Sequence, residues 1–324
     1  LRVGAIERPG SLEETAIKNY TPATVTEAVL QQMQSAADQR LKAIVESAVR
    51  HLHAFAREVN LTPAEWLKAI EFLTRVGQTC TATRQEFILL SDVVGLSTLV
   101  NTLHDATAVE KGTCTSLLGP FFREDAPQLP LGGQISSRDK SEEILLWGTV
   151  RTAAGRGIAN AQLMVWQTSS VGAYDLQEGD GAAIDYRATF HTDAEGKYHF
   201  RTVRPLGYSI PMDGPVGDLM RAQRREGCRP AHIHFLISAP GFRELVTALY
   251  FPDRYLESDV VFGASPELVV KEAADDPQAP VKGLPSVHFD FALARAGSAD
   301  LASGRVGADP TLLGGDLGVP STGG

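Results

Sequence analysis

The chain has 324 residues, enough for one large or two ordinary domains, and its 43% hydrophobic and 21% charged residues describe a globular protein with ample material for a core. A formal net charge of −9 without a basic cluster argues against a nucleic-acid partner, and no apolar run approaches the roughly 20 residues that a membrane span needs. Cys80, Cys114 and Cys228 are odd in number and widely spaced, so reduced, buried thiols in a cytoplasmic protein are expected rather than a disulfide framework. Leu1-Arg2-Val3-Gly4 is followed by no long apolar stretch, so no secretory signal is expected.

Residues 21–105 read as helical. Thr24 and Glu27 have capping-box spacing, in which the hydroxyl caps a free amide and the Glu reaches back. Leu41, Ile44, Val45, Ala48, Leu52 and Phe55 recur at helical spacing and make one apolar stripe. Thr62-Pro63 starts a further helix, with Pro where no donor is needed, and Gly77 is expected to end it. Thr83 with Glu86 reads as a second capping box, leading into Phe87, Leu90, Val94 and, past Gly95, Leu99 and Leu103.

Beyond about residue 106, Gly and Pro recur every few residues and short β-rich runs replace the long stripes. Ile144–Val150, Gln162–Trp166, Arg187–His191, Tyr198–Thr202, His232–Ser238 and Leu245–Tyr250 read as strands, with Asp193-Ala194-Glu195-Gly196 as a turn. Many short strands with turn signals suggest a sandwich or barrel. The last residues, from about Ala294, are rich in Gly, Ala, Ser and Asp and have little apolar area to bury.

The sharpest local feature is Arg229-Pro230-Ala231-His232-Ile233-His234-Phe235. On a strand, His232 and His234 share one face, while Ile233 and Phe235 point the other way, into a core. Two imidazoles side by side are a metal platform, although a bare His-x-His also suits a pair of hydrogen-bonded surface histidines. No acid follows at local spacing, because Ser238 and Ala239 occupy the positions where a cupin-type Glu would stand. Tyr174 and Tyr208 both lie near glycines at strand ends, where functional groups are often displayed. A metal can ionise such a phenol; alone, each tyrosine is equally readable as a packed residue with a satisfied hydroxyl.

The run from Gly172 to Gly263 resembles the intradiol ring-cleaving dioxygenases. The matching pieces are Gly-Ala-Tyr174-Asp, Thr192-Asp-Ala-Glu-Gly-Lys-Tyr-His-Phe-Arg-Thr-Val, Pro205-Leu-Gly-Tyr208 and Arg229-Pro-Ala-His-Ile-His-Phe. They occur in the family's order. Glu86-Phe-Ile-Leu-Leu-Ser-Asp-Val-Val-Gly95 and Leu118-Gly-Pro-Phe-Phe122 extend the resemblance, which covers roughly residues 20–295. It implies an α+β fold: a helical N-terminal linker and dimerisation part (residues 1–105), an all-β sandwich catalytic domain that binds iron (106–295), and a Gly-rich tail (296–324).

Carried over residue by residue, the resemblance implies an Fe(III) site held by Tyr174, Tyr208, His232 and His234. Two hard phenolate donors suit the ferric state, and two neutral imidazoles leave room for a chelating substrate. Tyr208 and Arg229 are the implied catalytic residues: Tyr208 as the tyrosinate that leaves the metal and takes a proton, Arg229 as a cation for charge building on the ring. Leu89, Asp92, Leu117, Gly119, Pro120, Phe121 and Ala248 are the implied substrate pocket. Ala248 stands where many catechol enzymes carry Gln, which puts plain catechol in doubt. Ile210–Leu219 and Glu257–Gly263 look most like the hydroxyquinol 1,2-dioxygenases, with catechol and chlorocatechol enzymes next, and Asp92 is suited to an extra ring hydroxyl. The resemblance also implies a homodimer through the helical stripe, with a lipid in that interface. Two other classes stay open: a ferrous or zinc enzyme using the same histidines and a distant acid, and a metal-free binding module on a β-sandwich.

Overall fold

The computed structural model describes residues 19–81, 84–178 and 183–297. The chain divides between Leu73 and Thr74 into two compact units.

The first unit is helical. Its α1 (Val25–Gln32) and α2 (Gln39–Glu58) are tied by Thr26, whose hydroxyl lies 3.0 Å from His53 Nδ1 and accepts from Arg57 Nη1 at 3.1 Å. Asp38 starts α2 by accepting from the N–H groups of Arg40 and Leu41 at 2.8 and 2.9 Å. Thr24 does sit at the N-cap of α1, but the expected box with Glu27 does not form. Its hydroxyl accepts from the Thr21 N–H at 2.9 Å instead, and Glu27 pairs with Arg50. The same Thr-x-x-Glu pattern does close at the start of α3 (Pro63–Thr79): Glu65 accepts from the Thr62 N–H at 2.9 Å, and the Thr62 hydroxyl accepts from the Glu65 N–H at 3.3 Å. α3 runs two residues past Gly77, because one helical Gly costs only about 1 kcal/mol and does not end a helix by itself. The apolar stripe lies on α2, where no residue is buried; Leu41, Leu52 and Phe55 are 57, 64 and 51% exposed.

In the second unit, α4 (Glu86–Val93) and α5 (Leu96–Asp105) meet at a 73° bend. Gly95 makes that bend with φ +75°, a left-handed conformation that side-chain-bearing residues rarely adopt. Thr83, the expected cap of α4, lies outside the described residues. The Glu86 carboxylate has a distant partner. It is buried, and its Oε1 accepts from the Val216 N–H at 3.1 Å, at the start of α6 (Pro215–Ala222), where a carboxylate complements the helix dipole.

Two sheets make the sandwich. β1 (Glu143–Thr152) pairs antiparallel with β4 (Lys197–Val203) and parallel with both β10 (Ser286–His288) and β11 (Phe291–Leu293); β9 (Glu272–Ala273) adds to β10. The facing sheet has the order β3 (Arg187–His191), β2 (Gln162–Gln167), β7 (His232–Ser238), β8 (Leu245–Tyr250), antiparallel throughout. Ile144, Leu146 and Phe200 from one sheet and Leu163, Ile233, Phe235 and Ile237 from the other fill one core. A two-residue ribbon, β5 (Tyr208–Ser209) with β6 (Cys228–Arg229), stands apart. Tyr208, expected near a strand end, begins this short strand. α6 was not expected, and neither were the strands β5, β6 and β9–β11, whose two or three residues carry no periodicity. The three cysteines are free and half-buried rather than buried. Among the described residues no single helix is long and apolar enough to cross a membrane.

Candidate active site

β7 is an interior strand, and its alternation does what the sequence requires. Ile233, Phe235 and Ile237 enter the sandwich core, and His232 and His234 face the other way. Register then chooses their neighbours. His232 lies opposite Tyr250 on β8, and His234 lies between Trp166 on β2 and Ala248 on β8. The Trp166 indole stacks flat on the His234 ring at 4.9 Å and 5°.

The two imidazoles meet nitrogen to nitrogen, with Nε2 atoms 3.0 Å apart. His232 Nδ1 donates to the Pro230 carbonyl at 2.7 Å, which leaves the lone pair on Nε2. His234 Nδ1 has no hydrogen-bond partner among the described residues. Burial, and then the Arg229 charge, hold both imidazoles neutral, with pKa values well below the ordinary histidine range.

The tyrosines complete the cluster. Tyr174 is fully buried, and its hydroxyl lies 3.4 Å from His232 Nε2. Its ring meets that of Tyr208 edge-on at 5.4 Å. Burial, and then the neighbouring Tyr208, push the Tyr174 phenol well above its ordinary pKa. Two neutral nitrogens and two phenol oxygens converging in a buried space form the donor set of a hard cation, whose charge is what ionises such phenols. The residues present fit a trivalent metal. Among the described residues no Asp, Glu or Cys joins the histidine pair to form a three-member group.

Arg229 is 2% exposed and faces Tyr208 across the β5–β6 ribbon. Its Nη1 reaches the Tyr208 hydroxyl at 3.5 Å, its Nη2 the Tyr250 hydroxyl at 3.3 Å, and its Nε donates to Asp259 Oδ1 at 3.3 Å. Burial pushes the Tyr250 phenol up to about 12, so it stays protonated.

The expected pocket residues are distributed as follows. Phe121 stacks on Tyr174 at 4.3 Å and 20°. Gly119 lies against the His234 ring, where an added Cβ would sit 3.6 Å away, and half-buried Pro120 connects the two. Leu117 is buried beside the His234 edge. Leu89 and Asp92 are both buried on α4, three residues apart and so on one helix face. Asp92 is held above the ordinary carboxylate range by burial, with Ser97 and Arg229 acting in opposition. Ala248 is fully buried opposite His234. A cleft of about 340 Å³ lined by Asp105, Lys111, Cys114 and Arg243 shares none of these residues.

Four residues near the site carried no assignment from sequence. Tyr250 and Asp259 hold Arg229, and alternation along β8 places Tyr250 on the same face as Ala248, a signal available in the sequence. Asp175 and Arg187 form a buried ion pair whose Arg Nη1 also donates to the Phe121 carbonyl at 2.9 Å. That pair fixes the backbone next to Tyr174 against the backbone of the ring stacked on it.

The chain also resembles known proteins. A family profile described as "Dioxygenase" matches residues 118–295, and one described as "Catechol dioxygenase N terminus" matches residues 38–112. The chain is 40% identical to a 6-chlorohydroxyquinol 1,2-dioxygenase of Cupriavidus pinatubonensis, over 86% of this chain and 99% of that protein. It is 41% identical to a hydroxyquinol 1,2-dioxygenase of a Rhizobium species, over 83% and 94%. The crystal structure of a hydroxyquinol 1,2-dioxygenase from Pseudomonas putida superposes with a TM-score of 0.77 at 38% identity, covering 85% of this chain and 99% of that one. On the histidine–tyrosine cluster, the two-sheet fold that carries it and these relationships, the chain belongs to the intradiol ring-cleavage dioxygenases.

Proposed function

We propose that this enzyme cleaves hydroxyquinol (1,2,4-trihydroxybenzene) between its vicinal hydroxyls to give 3-hydroxy-cis,cis-muconate, the tautomer of maleylacetate, using Fe(III). The observation that carries the reading is the convergence of Tyr174, Tyr208, His232 and His234 beside buried Arg229. Those four residues would hold the iron. When bound, ferric iron supplies the Lewis acidity and redox chemistry that make a chelated diol reactive toward dioxygen, both atoms of which enter the product.

The remaining work belongs to the chain. Tyr208 is the most accessible of the four, at 8% exposure, and the one beside Arg229. Its phenolate oxygen accepts a proton from a ring hydroxyl as the substrate docks. Arg229, at 3.5 Å from that oxygen, supplies the positive charge that stabilises the anionic ring. The apolar wall of Leu117 and Phe121 excludes water, and Trp166 and the Pro230 carbonyl keep the two imidazoles in orientation. Oxygen uptake with hydroxyquinol, with the product identified by chromatography and iron quantified on the same sample, tests this. An iron-loaded sample that consumes no oxygen with hydroxyquinol or catechol overturns it. Ala248, the small residue opposite His234, favours ring-substituted hydroxyquinols as a second reading, decided in the same assay.

Asp92 is the proposed acceptor for the third hydroxyl. Replacing it by Ala is expected to lower kcat/KM for hydroxyquinol about 10–100-fold, the value of a hydrogen bond to a charged group, and to change catechol turnover much less. Equal losses for both substrates would remove Asp92 from the specificity role.

The exposed apolar face of α2 is the proposed seam of a twofold homodimer, in which an acyl chain can lodge. Light scattering is expected to give a dimer mass for the wild type and a monomer for Leu52→Glu. A wild-type monomer at micromolar concentration would refute the seam, and solvent extraction with mass spectrometry tests for the lipid.

A further inference from the structure

We infer that Tyr250 is a positioning residue for Arg229, holding its guanidinium so that Nη1 faces Tyr208; this rests on the catalytic role proposed above for Arg229. The hydrogen bonds around Tyr250 have only one consistent direction. The Ser116 hydroxyl donates to the Gly263 carbonyl at 3.1 Å, which uses its only proton. At 2.8 Å, the Tyr250 hydroxyl must then donate to Ser116 Oγ. The phenol oxygen is left as the acceptor for Arg229 Nη2 at 3.3 Å.

The circuit closes on itself. Arg229 Nε donates to Asp259 Oδ1, and Asp259 Oδ2 accepts from the Gly263 N–H at 2.9 Å. Gly263 is therefore held by its N–H to Asp259 and by its carbonyl to Ser116. Its lack of a side chain is required, because a Cβ there would lie 2.8 Å from the Tyr250 hydroxyl and 3.2 Å from Arg229 Nη2. Tyr250 itself cannot drift. It is fully buried at the end of β8, in register with His232, with ring centroids 5.4 Å apart. A flexible guanidinium is thus gripped between a carboxylate on one loop and a phenol on a sheet strand, and its remaining arm points at Tyr208.

The test is Tyr250→Phe, which keeps the ring and removes the acceptor. Crystal structures of the variant and the wild type are expected to show Arg229 Nη1 leaving hydrogen-bond distance of the Tyr208 hydroxyl; an unmoved guanidinium overturns the inference. With hydroxyquinol, kcat is expected to fall about 10–100-fold while KM changes little, as for loss of a group that orients a catalytic one. In an Arg229→Gln background the same substitution is expected to cost less than about twofold, and fully additive losses overturn the inference. Ser116→Ala, which leaves the phenol in place, is expected to give a smaller effect in the same direction. A wild type inactive toward every diol would sink the proposed function, while the crystallographic comparison would still decide the role of Tyr250.

Discussion

Tyr208→Phe is expected to cut turnover of hydroxyquinol about 10²–10⁴-fold, the range for loss of a positioned proton acceptor. The substitution removes one oxygen and leaves the ring, which touches Tyr174 edge-on and packs near Phe121. Folding should therefore change little, and a near-native melting temperature is part of the expected result. Colour separates the two jobs assigned to this oxygen. As a metal ligand it contributes a phenolate charge-transfer band, so the visible absorbance of the iron-loaded variant should weaken but persist through Tyr174. Full turnover with an unchanged spectrum would show that Tyr208 neither binds metal nor takes a proton. Lost turnover with an unchanged spectrum would leave it only the proton.

The largest stability effect is expected at Asp175 and Arg187. Both side chains are 1% exposed, and the pair is made through two hydrogen bonds, with a third from Arg187 to the Phe121 carbonyl. Arg187→Met leaves a carboxylate buried without its partner, which costs about 3–5 kcal/mol. For a unit of this size that is on the order of 10 °C in Tm. Because desolvation of the surviving charge is the cause, Arg187→Met combined with Asp175→Leu should recover much of the loss. Differential scanning calorimetry of the three variants decides the matter. A double variant as unstable as the single one would show that the hydrogen bond to Phe121, not the ion pair, holds this corner.

Sequence reading succeeded where one local period governs an element. β3, β7 and β8 begin and end where short β-rich runs predict, and His232 and His234 share a face because side chains alternate along a strand. It failed where two local patterns are identical and their surroundings differ. Thr24-x-x-Glu27 and Thr62-x-x-Glu65 share the same spacing, yet only the second closes a box. At the first, Thr21 presents a competing N–H donor. Nor does local spacing show that the Glu86 carboxylate serves a helix 130 residues away in sequence.

The residue types and their order determined the chemistry available to this protein: two imidazoles on one strand face, two phenols beside glycines, and an arginine at the strand's approach. The tertiary structure alone decided what these groups meet. The 3.0 Å approach of the two Nε2 atoms, the grip of Tyr250 and Asp259 on Arg229 and the ion pair beside Tyr174 all join side chains set by sheet register and loop closure. Local spacing encodes which way a side chain points from its own strand. Distances of a few ångströms between segments far apart in sequence depend on how the whole sandwich packs, and no short pattern carries that information.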